Sequence, residues 1–344
     1  MRSLAIAICL CWCAFATYGQ TGSGSLSGSV YNADHAPVPN IPVEAKNVAT
    51  GNIYKAASST KGEYKFDQLA AGTYEISVLM ILYRPFVRKD FRIAAGQPQG
   101  QSQHLDIQLS PGLTATTLGE LPALFELFSK RPPPPKGPTP RTPDEKPDLS
   151  GVWMTPPSYL LSAFSQEPDL QPWAEAIVKE RLLNEARDKP SARCLPDNES
   201  TEPFVGLLPV KIVQTRGLLV ALIEDVIAAH QVFLDGRSHP SDLEPTWMGH
   251  SVGKWDGDTL VIDTVGFNDK SWIFVVTPHT GMLHVVTRLR RLDLGHLQIE
   301  ATYDDPATFN KPVTTTVVDV LAPDEEMDEV VCENNQYTEH VNAK

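Results

Sequence analysis

From Gly24 to Leu109 apolar and polar residues alternate in short runs broken by Gly, Pro and Asn. A period of two with frequent turn residues is the signature of strands that bury one face. Ser27–Tyr31, Pro42–Asn47, Gly62–Leu69 and Gly72–Val78 are the clearest runs, and Tyr64, Phe66, Tyr74, Ile76 and Val78 fall on core-facing positions. Ala49-Thr50-Gly51-Asn52 is a hairpin turn in which Gly51 supplies positive φ. The pattern resumes from Leu207, with strands expected at 209–214, 218–224, 226–234, 249–255, 259–265, 283–292, 297–303 and 314–321. Asp256-Gly257-Asp258 specifies a tight hairpin between Trp255 and Thr259. Helical spacing occurs in two places only: Leu118, Leu121, Leu124, Phe125 and Phe128, and the stretch from Pro172 to Arg187, with Pro172 at the first helical position and Trp173, Ala176, Ile177 and Leu183 as its apolar stripe.

The first β region carries a specific pattern: Gly28-x-Val30, Val38-Pro39, Val43-x-Ala45, Thr50-Gly51, then Gly62-x-Tyr64-x-Phe66-x-x-Leu69-x-x-Gly72-x-Tyr74-x-Ile76-x-Val78. It resembles the carboxypeptidase regulatory-like domain, a transthyretin-like sandwich grouped with carbohydrate-binding-like folds. That resemblance implies a seven-stranded β-sandwich serving as spacer, stabiliser or adhesion module, and it brings no catalytic residues. Gly151-x-Trp153 at the head of the second β region resembles the lipocalin and calycin signature, in which the Trp closes the barrel floor under an Arg from a late strand; Arg288 or Arg290 would play that part. Asp235 to Asp305 resembles an uncharacterised segment of exported bacterial proteins, without a known activity. The expected fold is therefore mainly β: a sandwich over 24–110, a short helix and Pro-rich linker over 111–146, and an antiparallel, lipocalin-like barrel with one helix over 147–344. Pro132 to Pro135 sets a stiff spacer between the two.

Composition narrows the partners. The formal charge of −13 without a basic face argues against nucleic acid. Residues 1–19 combine Arg2, an apolar run from Leu4 to Phe15 and small residues before a cleavage point at Ala16 or Gly19, the layout of a secretory signal peptide. That run is too short to span a bilayer, so the mature chain is expected to be exported without a membrane span. Cys9, Cys11 and Cys13 leave with it, and the remaining pair, Cys194 and Cys332, suits a disulfide in an oxidising compartment.

Candidate chemistry concentrates between Leu234 and Asp263. Asp235, His239, His250 and Asp263 are the acid–base candidates, with His239 held extended by Pro240 and His250 set between Gly249 and Gly253. Asp235 and Arg237 also suit a local ion pair across a turn. Glu224, Arg237, Trp247, Trp255, Trp272, His279 and Arg288 are the candidate ligand contacts, the aromatics as walls and the polar groups as anchors. His239, His250, His279 and His284 show no paired metal-ligand spacing, no Gly-x-Ser-x-Gly elbow is present, and no phosphate-cradling loop occurs, so neither a metal nor another cofactor is expected. The leading expectation is a barrel whose mouth, lined by Trp247, His250 and Trp272, binds a small organic or carbohydrate ligand, the sandwich being accessory. A hydrolase, lyase or isomerase using the Asp and His groups is the alternative, and an envelope structural or adhesion protein is the third.

Overall fold

The computed structural model describes residues 23–80, 83–94, 102–110, 131–156, 168–197, 202–206, 208–224 and 228–327. The expected signal peptide, the apolar stretch 118–128 and Cys332 lie outside the described residues. The chain divides into two compact units.

The first unit is a sandwich of two sheets. One holds β4 (Glu63–Ala70), β1 (Ser23–Tyr31) and the short β7 (Gln103–His104) and β8 (Ile107–Gln108); the other runs in the order β3 (Ile53–Ala57), β2 (Pro42–Asn47), β5 (Gly72–Val78), β6 (Phe86–Ile93). β7 and β8 both pair in parallel with β1. They are one edge strand interrupted at Leu105-Asp106, so the eight pieces make the seven strands expected. Gly28 explains itself at that interruption, because a Cβ there would run into the Leu105 carbonyl oxygen, which also accepts the Tyr64 hydroxyl at 2.6 Å. Tyr64, Phe66, Tyr74, Ile76 and Val78 are buried as their spacing requires. Gly51 has φ +75°, and Asn47 Oδ1 accepts the N–H groups of Ala49 and Thr50 in that turn.

The second unit is a closed nine-stranded barrel. Its strands in hydrogen-bonded order are β10 (Val210–Gln214), β11 (Leu218–Ile223), β12 (Ala228–Phe233), β13 (His250–Asp256), β14 (Thr259–Val265), β15 (His284–Arg291), β16 (His296–Asp304), β17 (Val313–Leu321) and β9 (Gly151–Met154). Closure removes every sheet edge. Inward positions alternate with outward ones, and Trp153, Val210, Ile212, Leu219, Val232, Leu260, Ile262, Leu289, Ile299 and Val317 pack a solid apolar core. One pair departs from the expected antiparallel meander: β12 and β13 run parallel. Parallel neighbours need a crossover, and residues 234–249 supply it.

The barrel floor is closed as the Gly-x-Trp motif implies, but by a different arginine. The Arg291 guanidinium lies 4.9 Å from the Trp153 ring and donates to the carbonyls of Asp148 and Leu294. The alternation of β15 decides this, since Val285, Leu289 and Arg291 are buried whereas Arg288 and Arg290 are exposed. The segment that follows the proline run is tied to the barrel: Leu294 N–H donates to the Gly137 carbonyl, and Arg141 forms a bidentate pair with Asp258. The helix, α1 (Pro172–Leu183), has Pro172 at its start as expected, but only Ala174 is buried and Trp173 is exposed, its indole N–H reaching the Ala307 carbonyl at 2.7 Å. Among the described residues no helix is long and apolar enough to cross a membrane.

Candidate functional site

The crossover between β12 and β13 brings three of the four acid–base candidates together. Nε2 of His239 lies 3.0 Å from Asp263 Oδ1, and its Nδ1 lies 2.9 Å from Nδ1 of His250. With Asp263 ionised, His239 Nε2–H donates to the carboxylate, which leaves His239 Nδ1 as a lone pair. His250 then donates Nδ1–H to it and presents Nε2 as an acceptor. His250 also stacks on Phe233, with ring centroids 5.3 Å apart, and the Arg237 guanidinium lies 3.9 Å from the centroid of the same Phe233 ring. Burial first, then the neighbouring charges of His239 and Arg237, lower the pKa of His250 and keep its imidazole neutral.

Local backbone explains the convergence. Gly249 turns the chain into β13 at φ +65°, where an added Cβ would meet the Val265 carbonyl oxygen. His250 then pairs opposite Val265, at the end of the β13–β14 hairpin remote from the Asp256-Gly257-Asp258 turn. Asp263 stands on the same wall two positions along. His284, at the start of β15, reaches Asp263 Oδ2 at 3.2 Å. That approach is poorly aligned for a hydrogen bond, and the shielded His284 Nε2 has no partner. We therefore count it as a contact that confines the carboxylate and not as a second donor.

This cluster does not look into a hollow. Leu260, Ile262 and Thr264 are the inward residues of β14 and Ser251 that of β13, so Asp263 and His250 stand on the outer face of the barrel wall. Asp235 stays outside the relay: it is fully engaged by Arg237, whose Nε and Nη2 both reach its carboxylate, and the Arg237 bond holds the Asp235 pKa below the ordinary value. The local ion pair expected across Gly236 is present.

The remaining expected ligand contacts are dispersed. Glu224 follows Ile223 on the outward side of β11, because Leu219, Ala221 and Ile223 take the inward positions. Trp255 packs on the apolar core at the far end of the hairpin, beneath the Lys146 ammonium. Trp272 is buried under the Arg181 guanidinium at 3.7 Å, and so lines no mouth. His279 is a buried structural group: Nδ1–H donates to the Thr280 carbonyl and Nε2 accepts the Ser271 hydroxyl at 2.8 Å. Arg288 faces outward towards Glu300 at 3.8 Å. Trp247 lies half-buried in the crossover. Among the described residues no group of three or more His, Cys, Asp or Glu is arranged to hold a metal ion.

Residues 25–110 match the carboxypeptidase regulatory-like domain, which is what the pattern around Gly62–Val78 resembles. No curated protein matches the chain. Among solved structures, the Bacillus anthracis TIE protein is 17% identical with a TM-score of 0.23, over 26% of this chain and 17% of that one. BcpA, the major pilin subunit of Bacillus cereus, is 13% identical with a TM-score of 0.20, over 26% of this chain and 30% of that one, and a group B streptococcus pilus 2b backbone protein is 13% identical with a TM-score of 0.21, over 26% of this chain and 41% of that one. The chain thus spans well under half of any of these three proteins.

Proposed function

We propose that this chain is an exported two-domain protein whose barrel performs acid–base chemistry on a small organic or carbohydrate molecule at its outer wall, with the sandwich as an accessory module. The observation that carries the reading is the Asp263–His239–His250 chain. His250 Nε2 would take a proton from the substrate or from an attacking water. Its own Nδ1 proton would move to His239 Nδ1, and the imidazolium so formed at His239 would rest against the Asp263 carboxylate. Hydrolysis, elimination and isomerisation all share that first proton transfer. Phe233 and Arg237 would orient the base and offer an apolar and a cationic contact to the substrate.

A substrate-independent test is the rate at which diethyl pyrocarbonate modifies each histidine, followed by mass spectrometry. His250 should be the most reactive imidazole near neutral pH, and Asp263→Asn should slow it. Turnover against panels of nitrophenyl esters and glycosides should then vanish in His250→Ala. Equal reactivity of all exposed histidines, unchanged by Asp263→Asn, would remove the reading. Simple ligand binding at the same wall is the second reading, favoured by the Arg237–Phe233 stack, and it predicts affinity without turnover.

Export would also place Cys194 and Cys332 where they oxidise to a bridge, which non-reducing peptide mapping of protein from an oxidising compartment would show as one linked peptide pair.

A further inference from the structure

The inner face of the same barrel carries a second polar cluster that the outer-wall chemistry does not use. Ser251, Thr264, Val285, Tyr303 and Val313 are successive cross-strand partners across five strands, so they form one continuous row around the interior. His230 joins that row from β12: its Nε2 lies 2.9 Å from Ser251 Oγ, which lies 2.7 Å from Thr264 Oγ1. Glu202 enters from the chain before β10, with Phe204 beside it in edge contact with the His230 ring at 5.9 Å. On the far side the tight turn at Ile273–Thr277 buries Phe274, whose N–H approaches Glu202 and whose ring packs on Tyr303 at 5.0 Å.

Three buried polar atoms in this row have no partner: Glu202 Oε1, His230 Nδ1 and the Tyr303 hydroxyl. Tyr303 sits beside Glu202 and Thr315 but makes no well-directed hydrogen bond to either. These residues are 8%, 3% and 0% exposed, so bulk water does not satisfy them. Nine strands enclose more room than the eight or so that side chains just fill. At this end the strands carry the small inward side chains Ser251, Thr264, Ala301 and Thr315 beside the buried rings of Phe274 and Tyr303.

We infer that this end of the barrel is an internal binding chamber for a small organic molecule that presents hydrogen-bond donors, hydroxyl or ammonium, to Glu202, with the Tyr303 hydroxyl and His230 Nδ1 as its other two contacts. None of these three groups belongs to the outer-wall relay, so the inference stands or falls separately from the proposed acid–base function.

The test uses the full chain in thermal-shift and titration calorimetry against two panels: linear alkylamines and diamines, and pentoses, hexoses and inositol. One panel should raise the melting temperature and bind, with amines identifying the ammonium arm and sugars the hydroxyl arm. Glu202→Gln and, separately, Tyr303→Phe should each weaken that binding roughly tenfold or more, while His250→Ala leaves it unchanged. Both variants preserve shape, and either alone suffices if the other does not fold. Binding indifferent to both variants overturns the inference. So does failure of both panels, together with a high-resolution crystal structure showing only ordered water between Glu202 and Tyr303.

Discussion

The two faces of one barrel wall treat the same kinds of side chain in opposite ways. Outside, His250, His239 and Asp263 are half-exposed and joined in a continuous chain. Inside the barrel, His230 on β12, Asp319 on β17 and Glu202 from the segment before β10 are buried and largely without charge partners. Burial pushes the Glu202 carboxyl up to about 7 and that of Asp319 up to about 8, and drives the His230 imidazole down to about 4. Every shift disfavours the ionised form, as desolvation must. The outer face is thus suited to moving protons and the inner face to keeping groups neutral.

The strongest way to break this comparison is to damage the floor beneath both faces. Trp153→Ala removes a fully buried ring and the surface on which the Arg291 guanidinium rests, so denaturant unfolding should show a loss of about 3–5 kcal/mol. If the loss were near zero, the barrel would not depend on the closed floor from which both faces are built.

Next in size is the pH dependence set by the inner face. Glu202 and Asp319 have folded values above their unfolded ones, so their contribution to stability is complete below about 4 and is lost as pH rises through about 7 and about 8. His230 has a depressed folded value, so its contribution is present above its unfolded value and is lost as pH falls towards about 4. The opposing terms overlap below about pH 6.5, and above it only the carboxyls remain. Stability should therefore decline between pH 6.5 and 8. Raising the Glu202 carboxyl from 4.5 to about 7 corresponds to roughly 3 kcal/mol across its window. Glu202→Gln should flatten part of the decline and Asp319→Asn, which keeps the Thr155 hydroxyl as a neighbour, the rest. A stability curve rising over that interval would mean that the inner carboxyls are ionised and compensated.

How far the sequence announces these two faces depends on the range of the interactions. Local rules suffice for the strands, for the Thr50-Gly51 turn and for the Asp235–Arg237 pair, because each is decided within a few residues. Period two also places His230 and Val232 on one face, and that signal was available for finding the inner imidazole. What local pattern does not contain is pairing. The parallel β12–β13 contact brings His239 back to His250 across the crossover, and His284 meets Asp263 only through the β14–β15 pairing. Glu202 has no strand periodicity at all, since it enters the barrel from an irregular segment. Arg291 is instructive for the opposite reason. The lipocalin-like motif asks for an arginine there, and carrying the alternation from Val285 through Leu289 selects Arg291 over its neighbours.

A smaller effect separates scaffold from chemistry on the outer face. His250→Ala removes a half-buried ring whose stacking partner Phe233 lies outside the apolar core, so it should cost no more than about 1 kcal/mol in denaturant unfolding. A loss of several kcal/mol would make His250 a structural residue and leave the outer relay without its base.

The finest test addresses the cation over Phe233. Arg237 is the last of the three influences that lower the His250 pKa, after burial and His239, and it is also the group that holds Asp235 down. Arg237→Ala should therefore move both pKa values upward in an NMR titration, Asp235 by losing its hydrogen-bonding partner and His250 by losing only a neighbouring charge through an exposed, screened path. The His250 change should be the smaller of the two and should shrink further in high salt. If His250 instead moved downward, the guanidinium would be acting as a cover whose removal reorganises the Phe233 stack, and the base would owe its neutrality to packing alone.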